Sequence, residues 1–309
     1  MALLCMFHPY LGKGIAPLLR EQLPGETLRV WPDVSARDDL EAALIWRVVP
    51  GLFEGTEQLS FVSATGAGVD HLLCDPSLPK NVPITRVADQ AFAAMIADFA
   101  TGWVIHIHRD FSHYLARQRE RKWEPLPISP TSTCRVGVMG QGLMGSAIAA
   151  RLHALGYSVA GWARRPRPSS CWPVYAGASD FDEFLGRSDI LINNLPLTTE
   201  TVAIFNARTF ERLPAGASLL HLGRGAHLDE TALLRACNSG HLRQVVVDVA
   251  AIEPLPAEHP FWDHPSIIVT PHVAAQAPPE IVVGSFVENL RRSRQGTGLI
   301  NIVDRSVGY

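Results

Sequence analysis

The sequence is poor in several residue types, and each shortage excludes a class of protein. Only 18% of the 309 residues are charged, and 27 basic against 30 acidic side chains leave a formal net charge of -3. That balance offers no cationic surface, so we expect no nucleic-acid partner and no membrane partner. The five cysteines are odd in number and widely scattered, which excludes a disulfide framework and a zinc site and favours a reducing cytoplasm.

Long apolar runs are scarce as well. The most apolar long stretch, residues 91–108, contains Asp98 and ends in two histidines, so it predicts a buried helix and not a membrane span. The amino-terminal stretch lacks a basic region and a cleavage pattern, and it predicts a first strand instead of a signal peptide. At roughly 100–200 residues per domain, the length of the chain suggests two domains.

Two series of short apolar runs alternate with segments able to form helices. The predicted strands are residues 3–7, 28–31, 43–46, 60–64 and 84–87, then 134–139, 158–162, 190–195, 217–222, 245–249 and 267–270. Between the series, residues 91–121 predict one long connecting helix, and three prolines within residues 125–130 mark a linker. Alternation of this kind indicates parallel sheets with helical crossovers, so the predicted class is α/β with two doubly wound domains.

A glycine turn joins a strand to a helix at the start of the second series. Its residues are Gly140, Gln141, Gly142, Leu143, Met144 and Gly145, which form a G-x-G-x-x-G pattern. In this setting the glycines permit a tight turn, a close approach of a pyrophosphate and close packing of the helix on the sheet. The pattern predicts a dinucleotide site, although a plain tight turn reads the same in isolation.

Reactive side chains follow three predicted strands of the second series. These are Arg224, Glu253 and His272, and the carboxyl ends of parallel strands are where doubly wound sheets bind ligands. An arginine can polarise a carbonyl, a histidine can transfer a proton, and a carboxylate can hold the imidazolium. The set suits hydride transfer to a 2-oxo acid. Serine or cysteine hydrolysis is not indicated, because no G-x-S-x-G elbow is present and Cys237 falls within a predicted helix.

Several motifs in order resemble the D-2-hydroxyacid dehydrogenase family, and in particular its glyoxylate/hydroxypyruvate reductase A branch. They are GAGVD, WEPLP, VGVMGQGLMGSAIA, NNLPLTTETVAIFN, LLHLGRGAHLDETALLRACNSG, VVVDVAAIEPLP, VTPHVAA and VDRSVGY. The resemblance implies that Arg224, Glu253 and His272 are catalytic and that the two domains flank a cleft. It also implies a Rossmann cofactor domain at residues 101–276, a flavodoxin-like substrate domain at 1–100 and 277–309, and a homodimer built on the connecting helix.

The same resemblance assigns further residues to the cofactor. It places Asp248 near the nicotinamide carboxamide, and Leu195, Pro196 and Thr201 along the ribose and phosphate. Leu222 and Gly223 lead into the arginine motif, where the family's commonest version has alanine at position 223. We expect little effect from that glycine, because a backbone contact needs no side chain.

Substrate and cofactor preference follow from other strand ends. The small-residue loop Ala67, Gly68 and Val69 can offer backbone N–H groups to a carboxylate, and Trp46 is a candidate wall that limits substrate size. After the strand at 158–162 no acid is present; Trp162 is followed by Arg164 and Arg165. Arginines at this position favour the 2′-phosphate of NADPH, so we predict NADP as cofactor with NAD as a possible substitute.

The sequence therefore predicts a reductase that converts glyoxylate, hydroxypyruvate or a similar small 2-oxo acid into the D-2-hydroxy acid with NADPH. Two alternatives stay open. One is a D-2-hydroxyacid dehydrogenase that acts on a bulkier substrate, and the other is a dinucleotide-sensing scaffold without catalysis. The presence of Arg224, Glu253 and His272 argues against the scaffold.

Overall fold

The computed structural model describes residues 1–8, 11–32, 37–167 and 171–309. The chain divides into two compact units. Unit 1 comprises Met1–Phe92 with Gln276–Tyr309, and unit 2 comprises Ala93–Ala275. The division falls near the start of a helix, ahead of the boundary drawn from the sequence at residue 100.

The elements of the described residues are as follows. The strands are β1 Ala2–Met6, β2 Thr27–Val30, β3 Leu40–Ile45, β4 Phe61–Ala64, β5 Ile84–Thr85, β6 Arg135–Met139, β7 Ser158–Ala163, β8 Val174–Ala176, β9 Ile190–Asn193, β10 Ala217–His221, β11 Leu242–Val247 and β12 Ile267–Val269. The α-helices are α1 Ile15–Gln22, α2 Asp70–Leu73, α3 Gln90–His108, α4 Phe111–Arg119, α5 Leu143–Ala154, α6 Phe181–Gly186, α7 Ala207–Arg212, α8 Glu230–Asn238 and α9 Pro279–Arg294.

Unit 1 contains a five-stranded parallel sheet in the order β2-β1-β3-β4-β5. Its central strands β1, β3 and β4 are buried along their whole length, as expected for a parallel sheet covered on both faces. The carboxylate of Glu41 is buried within β3 and is paired with Arg294 of α9 at 2.7 Å. This pair attaches the carboxyl-terminal helix to the sheet of unit 1.

Unit 2 contains a seven-stranded parallel sheet in the order β12-β11-β10-β9-β6-β7-β8. Two apolar clusters cover it; one includes Phe184, Phe205 and Phe261, and the other includes Ile148 and Leu152 of α5. The strand order reverses between β6 and β9, which is the pattern of a doubly wound nucleotide-binding domain. The predicted fold class is confirmed, with β8 as a strand that the sequence reading missed.

The predicted long helix over 91–121 is wrong in one respect. It is two helices, α3 and α4, separated at Asp110, whose φ of 52° lies in the left-handed region. Aspartate tolerates this conformation better than most side chains because its carboxylate can bond locally to the backbone. The break redirects the chain before the proline-rich linker.

Within the described residues, α3 is the one helix long and apolar enough to meet the length and composition of a membrane span. Core helices of water-soluble proteins have the same composition. Of its apolar window, 39% is buried inside the chain, and Ala97, Ala100, Val104 and Ile107 pack in a core cluster of unit 2. The predicted burial of this segment is thus observed on one face of the helix.

Candidate active site

The glycine turn follows β6 at the point where the strand order reverses. Gly140 has a φ of +88°, a conformation that disfavours any side chain. A Cβ on Gly145 would lie 1.7 Å from the carbonyl oxygen of Gly140, so the helix α5 can approach the strand only with glycine there. A Cβ on Gly142 would have no other residue within 4 Å, which leaves this side of the turn open to a ligand.

Two side chains between the glycines, those of Gln141 and Met144, pack into the protein. Gln141 is buried; its Nε2 donates to the carbonyl of Val138 at 3.0 Å, and its Oε1 accepts from Trp172 Nε1 at 3.0 Å. Met144 packs against the apolar cluster that contains α5. Any contact of Gln141 with a dinucleotide is therefore limited to its backbone, and the turn presents backbone N–H groups at the start of a helix, where an anion is favoured.

The segment after β9 forms a closed turn. Thr201 Oγ1 donates to the carbonyl of Pro196 at 2.9 Å and accepts from the N–H of Thr198 at 2.8 Å. The N–H of Leu195 donates to Asn193 Oδ1 at 3.1 Å. Leu195, Pro196 and Thr201 thus form one rigid loop at the same sheet edge as the glycine turn.

The arginine turn follows β10 and packs on the loop after β11. A Cβ on Gly225 would lie 2.1 Å from the carbonyl of Ala250, so only glycine permits this approach. Arg224 Nη1 donates to the carbonyl of Gly223 at 2.9 Å. Leu222 is buried, and its N–H donates to the carbonyl of Asn193 at 2.9 Å.

A buried polar network lies beneath the arginine turn, and the sequence reading missed it. Asn193, His221 and His227 are fully buried, and Asn193 Nδ2 donates to Nδ1 of both imidazoles at 3.0 Å. His227 Nδ1 also accepts from the N–H of Arg224 at 3.1 Å, and its Nε2 donates to the carbonyl of Pro196 at 3.2 Å. His227 therefore joins the arginine turn to the loop after β9.

This network also bears on position 223. A Cβ there would lie 2.5 Å from Asn193 Nδ2 and 2.6 Å from His227 Nδ1. An alanine would displace one of these two side chains, so glycine at this position is adapted to the polar network. The sequence does contain a signal for this network, because Asn193 and His221 are polar residues at the ends of the otherwise apolar strands β9 and β10.

Glu253 and His272 form a direct pair. His272 Nδ1 and Glu253 Oε2 are 2.8 Å apart, and Glu253 Oε1 accepts from the N–H of Ala250 at 3.0 Å. Burial alone raises the pKa of Glu253, but the hydrogen bond and charge of His272 outweigh it, and with a contribution from Arg224 the pKa falls below its ordinary value. The charge of Arg224 thus acts on the pair, and the three predicted catalytic residues lie in loops at the same edge of the sheet of unit 2.

Asp248 holds the loop that carries His272. Its carboxylate is buried and accepts from Thr270 Oγ1 at 2.6 Å and from the N–H groups of Val273 and Ala274 at 2.9 Å. The N–H of His272 donates to the carbonyl of Asp248 at 2.8 Å. These four bonds fix the histidine relative to β11, a structural role that the sequence reading did not anticipate.

The loop after β7 carries the predicted arginines. The indole N–H of Trp162 donates to the carbonyl of Gly177 at 3.0 Å, and its ring packs on Phe181, so this side chain is part of the core edge. Arg164 is half-buried and Arg165 is exposed. Both lie one strand away from the glycine turn, because β6 pairs with β7.

The predicted substrate residues lie in unit 1. Within the described part of the chain, the N–H groups of Ala67, Gly68 and Val69 have no acceptor, although the Val69 side chain is buried in the core. Trp46 follows β3 and contacts His8, with ring centroids 4.3 Å apart. Among the residues described, no group of three or more histidine, cysteine or acidic side chains could hold a metal ion.

Comparison with known proteins identifies related sequences over the whole chain. The family model described as D-isomer specific 2-hydroxyacid dehydrogenase, NAD binding domain, matches residues 101–274. A glyoxylate/hydroxypyruvate reductase A of Serratia proteamaculans is 34% identical over 98% of both chains, and one of Escherichia fergusonii is 36% identical over 94% of both.

Solved structures give the same result. An NADPH-dependent glyoxylate/hydroxypyruvate reductase of Sinorhizobium meliloti, in complex with NADP and sulfate, superposes with a TM-score of 0.94 at 31% identity over 100% of both chains. A D-isomer specific 2-hydroxyacid dehydrogenase of Xanthobacter autotrophicus, in complex with NADPH and MES, has a TM-score of 0.93 at 34% identity over 100% of this chain and 99% of the other.

Proposed function

Because the chain belongs to the D-isomer specific 2-hydroxyacid dehydrogenase family and is therefore an oxidoreductase, we propose that it reduces glyoxylate, hydroxypyruvate or a similar small 2-oxo acid to the D-2-hydroxy acid with NADPH. The observation that carries this proposal is the pair of Glu253 and His272, 2.8 Å apart and within electrostatic reach of Arg224. A proton donor and a carbonyl-polarising cation are the two groups that reduction of a 2-oxo acid requires from the protein.

The residues of unit 2 fit a dinucleotide. The positive φ of Gly140 and the close approach at Gly145 form a tight turn, and the side of Gly142 is open. These features suit the backbone of the turn to a pyrophosphate at the start of α5. NADPH, when bound, supplies the hydride. Leu195, Pro196 and Thr201 are proposed to border its ribose and phosphate, and Asp248 its carboxamide.

His272 is the proposed proton donor. Its Nδ1 faces Glu253, so Nε2 is the ring atom left to deliver a proton to the substrate oxygen. The carboxylate of Glu253 stabilises the imidazolium before transfer and fixes the orientation of the ring. The bonds from Asp248 to the loop of residues 270–274 keep the ring in place during the reaction.

Arg224 is proposed to polarise the substrate carbonyl and to contact the carboxylate beside it. Its planar fork of donors can contact two oxygens at once, which a lysine cannot do. The N–H groups of Ala67, Gly68 and Val69 are proposed to bind the substrate carboxylate from unit 1, since they have no acceptor within the described residues. Trp46 is the proposed limit on substrate size.

The preference for NADPH is proposed from the loop after β7. No acidic residue follows the strand there, and Arg164 and Arg165 stand where an acid would bind the ribose of NAD. Two cations at this place favour the additional phosphate of NADPH. Two further parts of the proposal are a cytoplasmic location and a homodimer. The location is supported by the five free thiols. The homodimer is supported by exposed apolar residues of α3 and α4, namely Met95, Phe111 and Leu115.

The test is a panel of 2-oxo acids assayed with NADPH and NADH. We expect the highest kcat/KM for glyoxylate or hydroxypyruvate with NADPH, and little activity on branched or aromatic 2-oxo acids. A preference for a bulky acid identifies the alternative dehydrogenase, and no turnover with any acid supports the scaffold.

A further inference from the structure

Two loops of unit 2 that carry proposed ligand contacts are joined to each other by backbone hydrogen bonds. The N–H of Ala203, after β9, donates to the carbonyl of Ala226, after β10, at 2.9 Å. The N–H of Phe205 donates to the carbonyl of His227 at 2.9 Å, and the carbonyl of Phe205 accepts from the N–H of Asp229 at 2.9 Å. These bonds attach the later part of the loop after β9 to the arginine turn.

The earlier part of the loop after β9 is joined to the arginine turn through the side chain of His227. This imidazole is fully buried. Its Nδ1 accepts from the N–H of Arg224 at 3.1 Å, and its Nε2 donates to the carbonyl of Pro196 at 3.2 Å. The same carbonyl accepts from Thr201 Oγ1 at 2.9 Å. One buried ring thus connects the backbone of the proposed catalytic arginine to the loop that is proposed to border the cofactor.

The hydrogen bonds determine which nitrogen of His227 carries the proton. Nδ1 faces two N–H donors, the side-chain amide of Asn193 at 3.0 Å and the backbone of Arg224, so it carries none. Nε2 therefore carries the proton and donates it to Pro196. Because both ring nitrogens are used, a rotation of the ring would leave buried polar groups in both loops without these partners. The ring therefore constrains the two loops together.

The two ends of this connection serve different ligands in the proposed reaction. Arg224 is proposed to contact the substrate, whereas Pro196 and Thr201 are proposed to border the ribose and phosphate of the cofactor. A ligand that restrains one loop also restrains the imidazole and, through it, the other loop. The second ligand then has less conformational entropy to lose when it binds. Such coupling is reciprocal, because each ligand must change the affinity of the other by the same factor.

We propose that His227 is a positioning residue that couples binding of the cofactor to binding of the substrate anion. The inference rests on the proposed function, which assigns the loop after β9 to the cofactor and Arg224 to the substrate. The imidazole touches neither ligand in this role; it acts through the backbone of Arg224 and the carbonyl of Pro196. Each ligand should raise the affinity for the other about tenfold, which is within the usual range of coupling between sites.

The experiment measures this coupling in the full chain without turnover. Oxalate is the probe for the substrate, because it has a second carboxylate in place of the carbonyl of a 2-oxo acid and is not reduced. The Kd of NADPH is measured by fluorescence with and without saturating oxalate, and the Kd of oxalate by calorimetry with and without saturating NADPH. In the wild type the two ratios should be equal and about ten.

Two variants each break one half of the connection. In H227N the amide can accept from the N–H of Arg224 near the position of Nδ1 but is too short to reach Pro196. In H227Q the amide can donate to Pro196 near the position of Nε2 but leaves the N–H of Arg224 without its ring acceptor. The coupling ratio should fall to about one in both, while NADPH still binds in the absence of oxalate.

A third variant and a control complete the design. G223A leaves the imidazole in the sequence, but a Cβ there would lie 2.6 Å from Nδ1 of His227 and 2.5 Å from Asn193 Nδ2, so its ratio should fall as well. H241N is the matched control. His241 Nε2 also bonds to a carbonyl, that of Phe210 at 2.7 Å, but His241 directly precedes β11, at the opposite edge of the sheet. H241N should keep the ratio of the wild type.

The possible results separate this inference from the proposed function. A ratio of one in the wild type, or a ratio like that of the wild type in H227N, H227Q and G223A, would overturn the role of His227. Weaker binding of each ligand alone with unchanged coupling would do the same, because it would reduce His227 to a stabilising residue. Coupled binding without turnover of any 2-oxo acid would overturn the reductase assignment alone, and absence of NADPH binding would overturn both.

Discussion

The buried imidazole of His221 should make unit 2 sensitive to acid. The residue is fully buried on β10, and its Nδ1 accepts a hydrogen bond from Asn193. Burial lowers the pKa of His221 from 6.5 to about 3, with a smaller effect of His227 in the same direction. Because Nδ1 is the acceptor, acid would add the second proton there, which would bury a charge and place the new N–H against the amide donor of Asn193.

The sign and size of the effect follow from proton linkage. The folded pKa is depressed, so between pH 6.5 and about 3 the unfolded chain binds a proton that the folded chain does not. The free energy of unfolding therefore falls as the pH falls through this range. From pH 7.5 to pH 5 the loss from this single residue is about 2 kcal/mol, since one and a half pH units at about 1.4 kcal/mol per unit separate pH 5 from the unfolded pKa.

The assay is urea unfolding at both pH values for the wild type, H221N and H153N. The amide oxygen of an asparagine at position 221 can accept from Asn193 but cannot titrate in this range, so H221N should lose about 2 kcal/mol less than the wild type on acidification. His153 is exposed, and H153N should behave like the wild type. An equal loss in H221N and the wild type would show that the imidazole is not the source of acid sensitivity.

Four further results are expected. His272→Ala should lower turnover by about 10²–10⁴ while NADPH binding, followed by fluorescence, is retained; near-normal turnover would contradict its role as proton donor. Replacing Arg164 and Arg165 with alanine should raise KM for NADPH much more than for NADH, and a wild-type enzyme with equal or better kcat/KM for NADH would refute this interpretation of the loop. His227→Leu should lower kcat/KM about tenfold, because the N–H of Arg224 loses its acceptor; unchanged kinetics would remove His227 from the positioning of the arginine. Sedimentation at micromolar concentration should give the mass of a dimer associated through α3 and α4, and a monomeric mass would argue against it.

Most of the fold was predictable because buried parallel strands appear in the sequence as apolar runs of four to six residues. The exceptions have physical causes. The strand β8 has three residues, all only half-buried, and pairs with a single neighbour, so its apolar run is too short to indicate a strand. The break at Asp110 depends on one residue in a left-handed conformation, which local sequence does not require when neither glycine nor proline is present.

The candidate site divides in the same way. That Arg224, Glu253 and His272 lie at one edge of the sheet could be predicted, because each belongs to the loop that follows a strand of one parallel sheet. The contacts of Asn193 and His227 could not, because they depend on which strands are neighbours and on how closely the turns approach. Sequence spacing places residues at a sheet edge but does not determine which of them form hydrogen bonds with one another.

His272 occupies a backbone conformation that a histidine adopts at a cost. Its φ is 53°, in the left-handed region, where strain of order 1 kcal/mol or more is typical for a residue other than glycine. Glycine or asparagine at position 272 would relieve that strain. The presence of histidine there therefore lowers the stability of the loop. In a descendant that had lost the reaction, drift at this position toward glycine or asparagine would stabilise the protein. Position 272 is thus a marker by which active and inactive lineages of this chain could be told apart.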